Sequence, residues 1–253
     1  MSLRAFLYRR KPESQPQVTI DVAFDNAVYS VRLRRIRQAR RYTLRVLAAT
    51  REVVLTMPLR GSLREAKAFA EKHGGWIAAR LHRLPQAMPF IDGVQIPLRG
   101  EMHRIAHRLG KRGTVWVEAG DDGAMTLCVA GQVPHIGRRI TDFLKREAKR
   151  DLERATAEAA QKLGVTYKRI SLRDQASRWG SCSTTGVISY SWRLILAPPF
   201  VLDYLAAHEV AHLVEMNHSP RFWKTVERIF PDMPRAKGWL DANGTELHRY
   251  GAN

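Results

Sequence analysis

The feature that most constrains this chain is the five-residue segment His208-Glu209-Val210-Ala211-His212, which has the H-E-x-x-H spacing. On an α-helix, residues four apart lie one above the other on the same face, so both imidazoles can bind one metal ion. The glutamate beside the first histidine can lie next to the metal without binding it and accept a proton from the metal-bound water. The segment therefore predicts a helix that carries a catalytic metal site.

The residues around this motif indicate that the helix is buried. Apolar side chains recur at helical spacing over residues 198–216, and Pro198 suits the first turn of such a helix. These side chains are Leu202, Leu205, Ala206, Leu213 and Met216. The alternative is a pair of hydrogen-bonded core histidines without a metal. We favour the metal site because the full motif is present.

A catalytic zinc site needs a third protein ligand and one open position. His218 follows His212 by six residues, so the helix must end and the chain must turn back toward the metal. Asn217 favours such a turn, because asparagine tolerates the left-handed conformation that closes a helix. Ser219 and Pro220 then suit the N-cap and first turn of the next helix.

Other third ligands are open at this point. The spacing to His218 matches that of metzincins, but Glu215 stands where their glycine would be. An acid from a later helix is the alternative, and Glu227 and Glu246 are its candidates. We predict a Zn²⁺ site with one catalytic base. Its metal ligands are His208, His212 and His218, and its base is Glu209.

Strand-like sequence dominates the first half of the chain. Four segments between residues 18 and 58 are rich in β-branched side chains and alternate apolar with polar residues, which predicts a small antiparallel sheet. Ser62 and Glu65 have the spacing of a capping box, so we expect a helix over residues 62–84, interrupted near Gly74. Short strands are predicted between residues 95 and 130, where glycines separate the apolar runs.

The character of the sequence changes near Pro134. A charged amphipathic segment over residues 136–163 predicts a long helix, and Gly164 suits its C-cap. The elements predicted after it are strands at 169–173 and 187–196 and helices at 198–216, 220–229 and 236–248. We therefore predict an α+β fold in which a β-rich basic N-terminal domain with one covering helix, residues 1–134, precedes a zincin-like metallopeptidase domain, residues 135–253.

The charge balance bears on partners. The chain has 42 Lys and Arg against 24 Asp and Glu, and its net charge of +18 attracts phosphate backbones, acidic proteins or anionic membrane surfaces. Seven arginines and no acid lie between Arg32 and Arg45, and strand alternation places several of them on one exposed face. We expect DNA or RNA as a partner of the N-terminal domain. The alternative is a basic, well-solvated surface without a partner.

Cysteine usage and hydropathy indicate the compartment. Cys128 and Cys182 lie far apart, which is not the pattern of a secreted disulfide framework. The residues before Arg9 are too few for the apolar core of a signal peptide, and no run of about 18 apolar residues follows. We expect a cytoplasmic protein without membrane insertion.

Long motifs in the second half resemble the YgjP-like metallopeptidase family, which is related to the SprT-like zincins. They are SRWGSCS at Ser177–Ser183, SWRLILAPPFVLDYL at Ser191–Leu205 and HEVAHLVEMNHSPRFW at His208–Trp223. The arginine-rich segment and the helix around Trp76-Ile77 are similar to the family's less distinctive first half. The resemblance implies that the three histidines bind zinc and that Glu209 is the catalytic base.

The resemblance also implies rival functions. SprT-like relatives include proteases that act on proteins crosslinked to DNA, and nucleotide hydrolysis has been attached to YgjP-like proteins. Our prediction is a zinc metallopeptidase that hydrolyses a protein or peptide substrate through a zinc-bound water activated by Glu209, recruited to nucleic acid by its basic domain. The alternatives are a metal-dependent nucleotide phosphohydrolase and a nucleic-acid-binding module with structural zinc.

Residues outside the metal motif have two interpretations each. Arg178 or Arg193 could hold a substrate carboxylate or an oxyanion, but we favour pairing with helix acids. Cys182 is interpreted as a buried structural thiol, because no base is paired with it. The strand at residues 187–196 could offer a free edge to an extended peptide unless it is an interior strand. Trp223 is expected in the core.

Overall fold

A computed structural model describes residues 18–47, 50–110, 113–121, 123–174 and 178–251. These residues form six α-helices and eleven strands in three mixed sheets, so the predicted α+β fold is confirmed. They divide into two compact units: residues 18–47 and 51–82, and residue 50 with residues 83–251. The N-terminal segment before Arg9 and Ser177 lie outside the described residues. None of the helices in the described ranges is long and apolar enough to span a bilayer.

The first unit is a four-stranded sheet with two helices. Its strands are β1 (Thr19–Phe24), β2 (Ala27–Ile36), β3 (Thr43–Val46) and β4 (Val53–Pro58), in the order β1-β2-β4-β3. The expected antiparallel sheet is wrong in one pairing, because β2 and β4 run parallel. The chain passes through β3 between them, and β3 pairs on the far side of β4 as an edge strand. The pairing is therefore decided by a crossover rather than by successive hairpins.

The predicted helix over residues 62–84 is two helices, α1 (Leu63–Lys72) and α2 (Gly74–His82). Ser62 caps α1 through the predicted capping box with Glu65. The break falls at His73, next to the predicted interruption. Gly74 packs against Phe24, whose Cβ would lie 3.0 Å from an added Cβ. A larger residue at position 74 would therefore separate the helix from β1.

The second unit begins with another four-stranded sheet. Its strands are β5 (Gln95–Leu98), β6 (Glu101–Arg108), β7 (Val115–Ala119) and β8 (Met125–Ala130), in the order β5-β6-β8-β7. The long helix α3 (Ile136–Leu163) follows, and Gly164 ends it in the left-handed conformation, as predicted. Arg99 binds the Asp151 carboxylate at 2.7 Å and Glu147 at 2.9 Å, which fixes the sheet to α3.

The second unit continues with a small sheet and three helices. These elements are β9 (Arg169–Arg173), β10 (Gly180–Cys182), β11 (Val187–Ser191), α4 (Pro199–Ala211), α5 (Pro220–Ile229) and α6 (Met233–Leu247). The strand predicted at 187–196 ends at Ser191, whose hydroxyl accepts a hydrogen bond from the Arg193 backbone and opens a 3₁₀ turn over Trp192–Leu196. The helix predicted to residue 216 ends at Ala211.

The predicted domain boundary between residues 134 and 135 does not coincide with the division between the compact units, which falls at residues 82 and 83. The reason is the core of the second unit. Ile96, Ile105 and Leu127 from the β5–β8 sheet are fully buried in one cluster with Ile140 and Leu144 of α3. Because that sheet has its apolar face on α3, it belongs to the same unit as the metal motif.

Candidate metal centre

Helix α4 and the turn after it bring three histidine rings together. His208 lies in the last turn of α4, and His212 is its C-cap. The ring centroids of these two residues are 5.1 Å apart, and the His218 ring lies 5.1 Å from His208 and 4.8 Å from His212. One nitrogen from each ring lies within 4.8 Å of the other two. The i, i+4 spacing and the turn thus produce the predicted constellation.

The turn that returns His218 is built from local hydrogen bonds. Asn217 does not adopt the left-handed conformation that we expected. Its side-chain oxygen instead accepts a hydrogen bond from the Ser219 backbone at 3.2 Å. Ser219 then caps α5 by accepting from the Phe222 backbone, as predicted, with Pro220 in the first turn. A side-chain turn followed directly by a helix cap therefore holds His218.

Two aromatic rings of α5 pack against the histidines. Phe222 is fully buried, stacks on His212 at 4.4 Å and meets His208 edge-on at 4.9 Å. Trp223, which we expected in the core, packs against the core but is only partly buried, and its ring stacks on His218 at 5.6 Å. The two rings restrict the rotamers of all three histidines, which preorganises the cluster.

The donor set and its separations fit a metal ion. Nε2 of His218 lies 3.1 Å from Nε2 of His208. Two nitrogens bound to one tetrahedral zinc at about 2.0–2.1 Å lie roughly 3.4 Å apart. Nδ1 of His212 faces the Glu215 carbonyl oxygen at 3.1 Å, an arrangement that directs Nε2 toward the other rings. Among the described residues, no Asp, Glu or Cys joins this cluster, and the candidate ligand Glu246 pairs with Arg249 instead.

Burial keeps the first histidine neutral. Burial first, and then the positive charges of His212, His218 and Lys237, lowers the pKa of His208 to about 3. A neutral imidazole is the form that binds a metal. The Nδ1 atom of His208 is buried and has no hydrogen-bond partner within the described ranges.

Glu209 is buried beside the histidines and backed by a glycine. Its side chain is 4% exposed, and its Oε2 has no hydrogen-bond partner in the described part of the chain. Burial raises the pKa of Glu209 to about 8, and the positive charge of Arg178 opposes this rise. A Cβ added to Gly180 would lie 2.7 Å from the Glu209 carboxyl carbon. The absence of a side chain at position 180 therefore makes room for this carboxylate.

The histidines and Glu209 open into a cleft of about 560 Å³. Residues of α4, of α6 and of the segment around β10 line it as well. These include Arg178, Trp179, Cys182, Tyr204, Lys237 and Asp241. Of these, sequence reasoning had singled out only Arg178 and Cys182 as candidates near the site. Trp179 belongs to the SRWGSCS motif, and Tyr204 lies one helical turn before His208 on α4. Lys237 and Asp241 carry no local signal, because the contact of α6 with α4 is what brings them to the cleft.

The two remaining site candidates, Arg193 and Cys182, lie in different surroundings. Arg193 is 2% exposed and lies outside the cleft lining, so its role is structural. The expected pairing with a helix acid is wrong, because Arg193 donates to Asp174, which follows β9, at 2.9 Å and to the carbonyl oxygens of Leu247 and Tyr250. Cys182 is only partly buried and lines the cleft, so the expected fully buried thiol is wrong. Burial, followed by the charge of Glu209, raises the pKa of Cys182 to about 11, which keeps it protonated.

The small sheet behind the cleft has the order β10-β11-β9. The strand at residues 187–191, β11, is therefore interior, which excludes it as an exposed edge. Strand β10 lies at the edge of this sheet, and its residues Gly180, Ser181 and Cys182 line the cleft. The edge nearest the histidines thus belongs to the SRWGSCS motif.

Comparisons with known proteins agree with this geometry at the level of a family. The sequence model of a family described as YgjP-like, metallopeptidase domain, matches residues 40–243. No curated protein matches the chain significantly. Among solved structures, the chain is similar to the crystal structure of the metallopeptidase zymogen of Pyrococcus abyssi abylysin. The identity is 28%, over 39% of this chain and 97% of that chain, with a TM-score of 0.34.

Proposed function

The chain belongs to the YgjP-like metallopeptidase family, and on that premise we propose that it is a zinc-dependent peptidase with Glu209 as general base. The observation that carries this proposal is the convergence of three imidazoles beside a buried carboxylate. The ligand nitrogens lie within 4.8 Å of one another, and Oε2 of the carboxylate has no partner in the described structure. Because Oε2 of Glu209 accepts no hydrogen bond from the described residues, it is free to accept a proton from water.

Each residue of the site has its own role in the proposed reaction. His208, His212 and His218 would hold the metal, which when bound supplies a Lewis acid that acidifies water and polarises a carbonyl. Glu209 takes the proton of the attacking water and returns it to the leaving amine. The Glu215 carbonyl orients His212, and the rings of α5 keep the three imidazoles in place.

Zinc is the metal that we propose for this site. Three neutral imidazoles also bind nickel, copper or cobalt. Zinc accepts three protein ligands with one open position, which is the arrangement of catalytic zinc sites. The described residues bring no fourth His, Cys, Asp or Glu to the cluster, and this supports a catalytic over a structural site.

The cleft suits an extended peptide. Strand β10 lies at a sheet edge, and an extended chain can pair with such an edge through main-chain hydrogen bonds. These bonds give affinity without demanding a particular sequence. We propose that protein or peptide substrates bind along β10, with Arg178 and Lys237 beside the metal cluster as candidates to stabilise an oxyanion.

We also propose a cytoplasmic location, which the free thiols of Cys128 and Cys182 support.

The decisive variant is Glu209→Gln, measured on an unfolded protein substrate with the bound zinc quantified. We expect equal zinc content and a loss of turnover of about 10²–10⁴-fold, since the amide cannot accept the proton. The matched control is Glu227→Gln, which changes an exposed acid once considered as a ligand and should leave both zinc and turnover unaltered. Normal cleavage by Glu209→Gln would remove this residue from the base role. Hydrolysis of nucleotides but not of proteins would favour a phosphohydrolase.

A further inference from the structure

The first compact unit contains a second pocket, of about 360 Å³, that the peptidase proposal does not use. Aromatic rings and an arginine form much of its wall. They are Arg41, Tyr42, Phe69, His73 and Trp76. A pocket of this size that is lined by rings and a few polar groups is typical of a binding site for a flat ligand.

The rings form an ordered platform. Phe69 lies on α1, His73 is its C-cap and Trp76 lies in the first turn of α2, and all three side chains line the same pocket. The ring centroids of Phe69 and His73 are 4.6 Å apart, and those of Phe69 and Tyr42 are 5.7 Å apart. The Tyr42 hydroxyl donates to the Glu65 carboxylate at 2.9 Å, which fixes that ring.

Trp76 is left uncovered at this platform. It is 46% exposed, although its side chain is the largest apolar group among the pocket residues. The structure assigns it no hydrogen-bond or ring partner within the described ranges. Exposed apolar surface that is continuous with a pocket is typical of a ligand-binding groove.

The charge around the pocket selects the ligand. Between residues 18 and 82 there are 13 Lys and Arg and only 5 Asp and Glu. Two arginines of the basic segment are engaged, because Arg32 pairs with Glu52 and Arg35 donates to backbone carbonyls. Within the segment from Arg32 to Arg45, the arginines whose side chains have no hydrogen bond or ion pair in the described structure are Arg34, Arg37, Arg40, Arg41 and Arg45. A cationic ligand is repelled here, whereas an anionic ligand with a flat apolar part fits.

The arginine-rich segment connects one face of the sheet with the pocket. Arg32 of β2 and Arg45 of β3 both pair with Val54 of β4, one on each side, so the two side chains lie on the same face of the sheet. Thr43 begins β3 one residue after the pocket residue Tyr42. The arginine-rich segment therefore runs from the face of the sheet to the pocket wall.

We propose that this pocket binds one unstacked base of a single-stranded nucleic acid, stacked on Trp76, while the unengaged arginines bind the flanking phosphates. Single-stranded sites combine aromatic platforms with a basic surface, because every base has a π-face and the backbone is uniformly charged. The bases of a duplex are already stacked on one another and cannot enter such a pocket. The binding is independent of the metal centre and of the proposed peptidase activity.

The test measures binding by the full-length protein with Glu209→Gln in the background, so that cleavage plays no part. The probes are a fluorescein-labelled oligothymidylate and a duplex of equal length, followed by anisotropy at several salt concentrations. We expect the single strand to bind more tightly. Trp76→Ala should weaken this binding by about 5- to 150-fold. Replacing Arg40 and Arg41 with glutamine should reduce the salt slope by about 0.7 for each phosphate that the protein no longer neutralises.

Two control variants test whether the loss of binding is specific to the ring of Trp76. Leu63→Ala removes an exposed apolar side chain of α1 that does not line the pocket, and it should bind as wild type does. Trp76→Phe keeps a ring at the position and should recover most of the affinity, which a general folding defect would not allow. Equal binding of single strand and duplex, or wild-type affinity in Trp76→Ala, would overturn the proposal. Capture of an unstructured peptide in place of oligothymidylate would assign the pocket to a protein partner and overturn it as well.

Discussion

At the scale of residues, the site depends as much on a missing side chain as on the groups that carry chemistry. Glu209 and the three histidines are the chemical groups, and their types and spacing are visible in the sequence. Gly180 is equally specific, because the Glu209 side chain occupies the space that a Cβ at position 180 would fill. The position of the carboxylate is therefore decided by contact between α4 and β10 rather than by the motif itself.

We predict that Gly180→Ala lowers kcat by about 100-fold, since a misplacement of a catalytic group by about 1 Å has an effect of this size. Zinc content should stay unchanged, because Glu209 is not a ligand. The measurement is peptidase kinetics with parallel metal analysis. Gly238→Ala is the matched control, since an added Cβ there meets nothing within 4 Å, and its activity should equal that of the wild type. Full activity in Gly180→Ala would contradict this account of how Glu209 is positioned.

At the scale of elements, the metal centre is a helix, a turn and a second helix. Helix α4 ends at Ala211, and the chain must bring His218 back within a short connection before Pro220. The N-cap bond of Ser219 and the side-chain bond of Asn217 stabilise that connection. The position of His218, the proposed third ligand, therefore depends on the start of α5, although His218 belongs to no helix.

We predict that Ser219→Ala destabilises the start of α5 by about 1 kcal/mol, the usual cost of removing an N-cap side chain. Because this cap adjoins His218, the variant should bind zinc more weakly, as measured by competition with a chromophoric chelator. Ser62→Ala removes the N-cap of α1 in the other compact unit and serves as the control. It should show a similar drop in stability in a denaturant titration without a change in zinc affinity. Equal zinc affinity in both variants would show that the Ser219 cap does not contribute to zinc binding.

At the scale of the whole molecule, the fold is built on two apolar cores. Val31, Leu55 and Ile77 belong to the core of the first unit, and Ile105 and Leu144 belong to that of the second. All five side chains are fully buried. A chain of 253 residues buries enough surface in this way to fold without a metal staple.

We therefore predict that chelation of the metal abolishes peptidase activity but leaves the far-UV circular dichroism spectrum unchanged. The melting temperature should fall, because a ligand present at about 1,000 times its Kd contributes about 4 kcal/mol. Readdition of zinc should restore both activity and melting temperature. Loss of the helical spectrum on chelation would instead indicate that the metal is needed for folding, as in structural zinc sites.

Features that depend on local spacing could be predicted from the sequence alone. Helix α3 and its Gly164 cap, the capping box of α1 and the convergence of the histidines all follow from residues within a few turns of one another. Helical periodicity and backbone preference decide such features, and both can be read along the chain. The family resemblance rests on the same long local motifs.

Features that depend on which elements meet could be seen only in the folded chain. The parallel pairing of β2 with β4, the placement of the β5–β8 sheet in the second unit and the edge position of β10 each join segments that are distant in sequence. The same holds for Gly180 against Glu209. Non-local contacts are selected by burial and packing complementarity, which many pairings of the same segments could satisfy, so a single sequence does not specify them residue by residue.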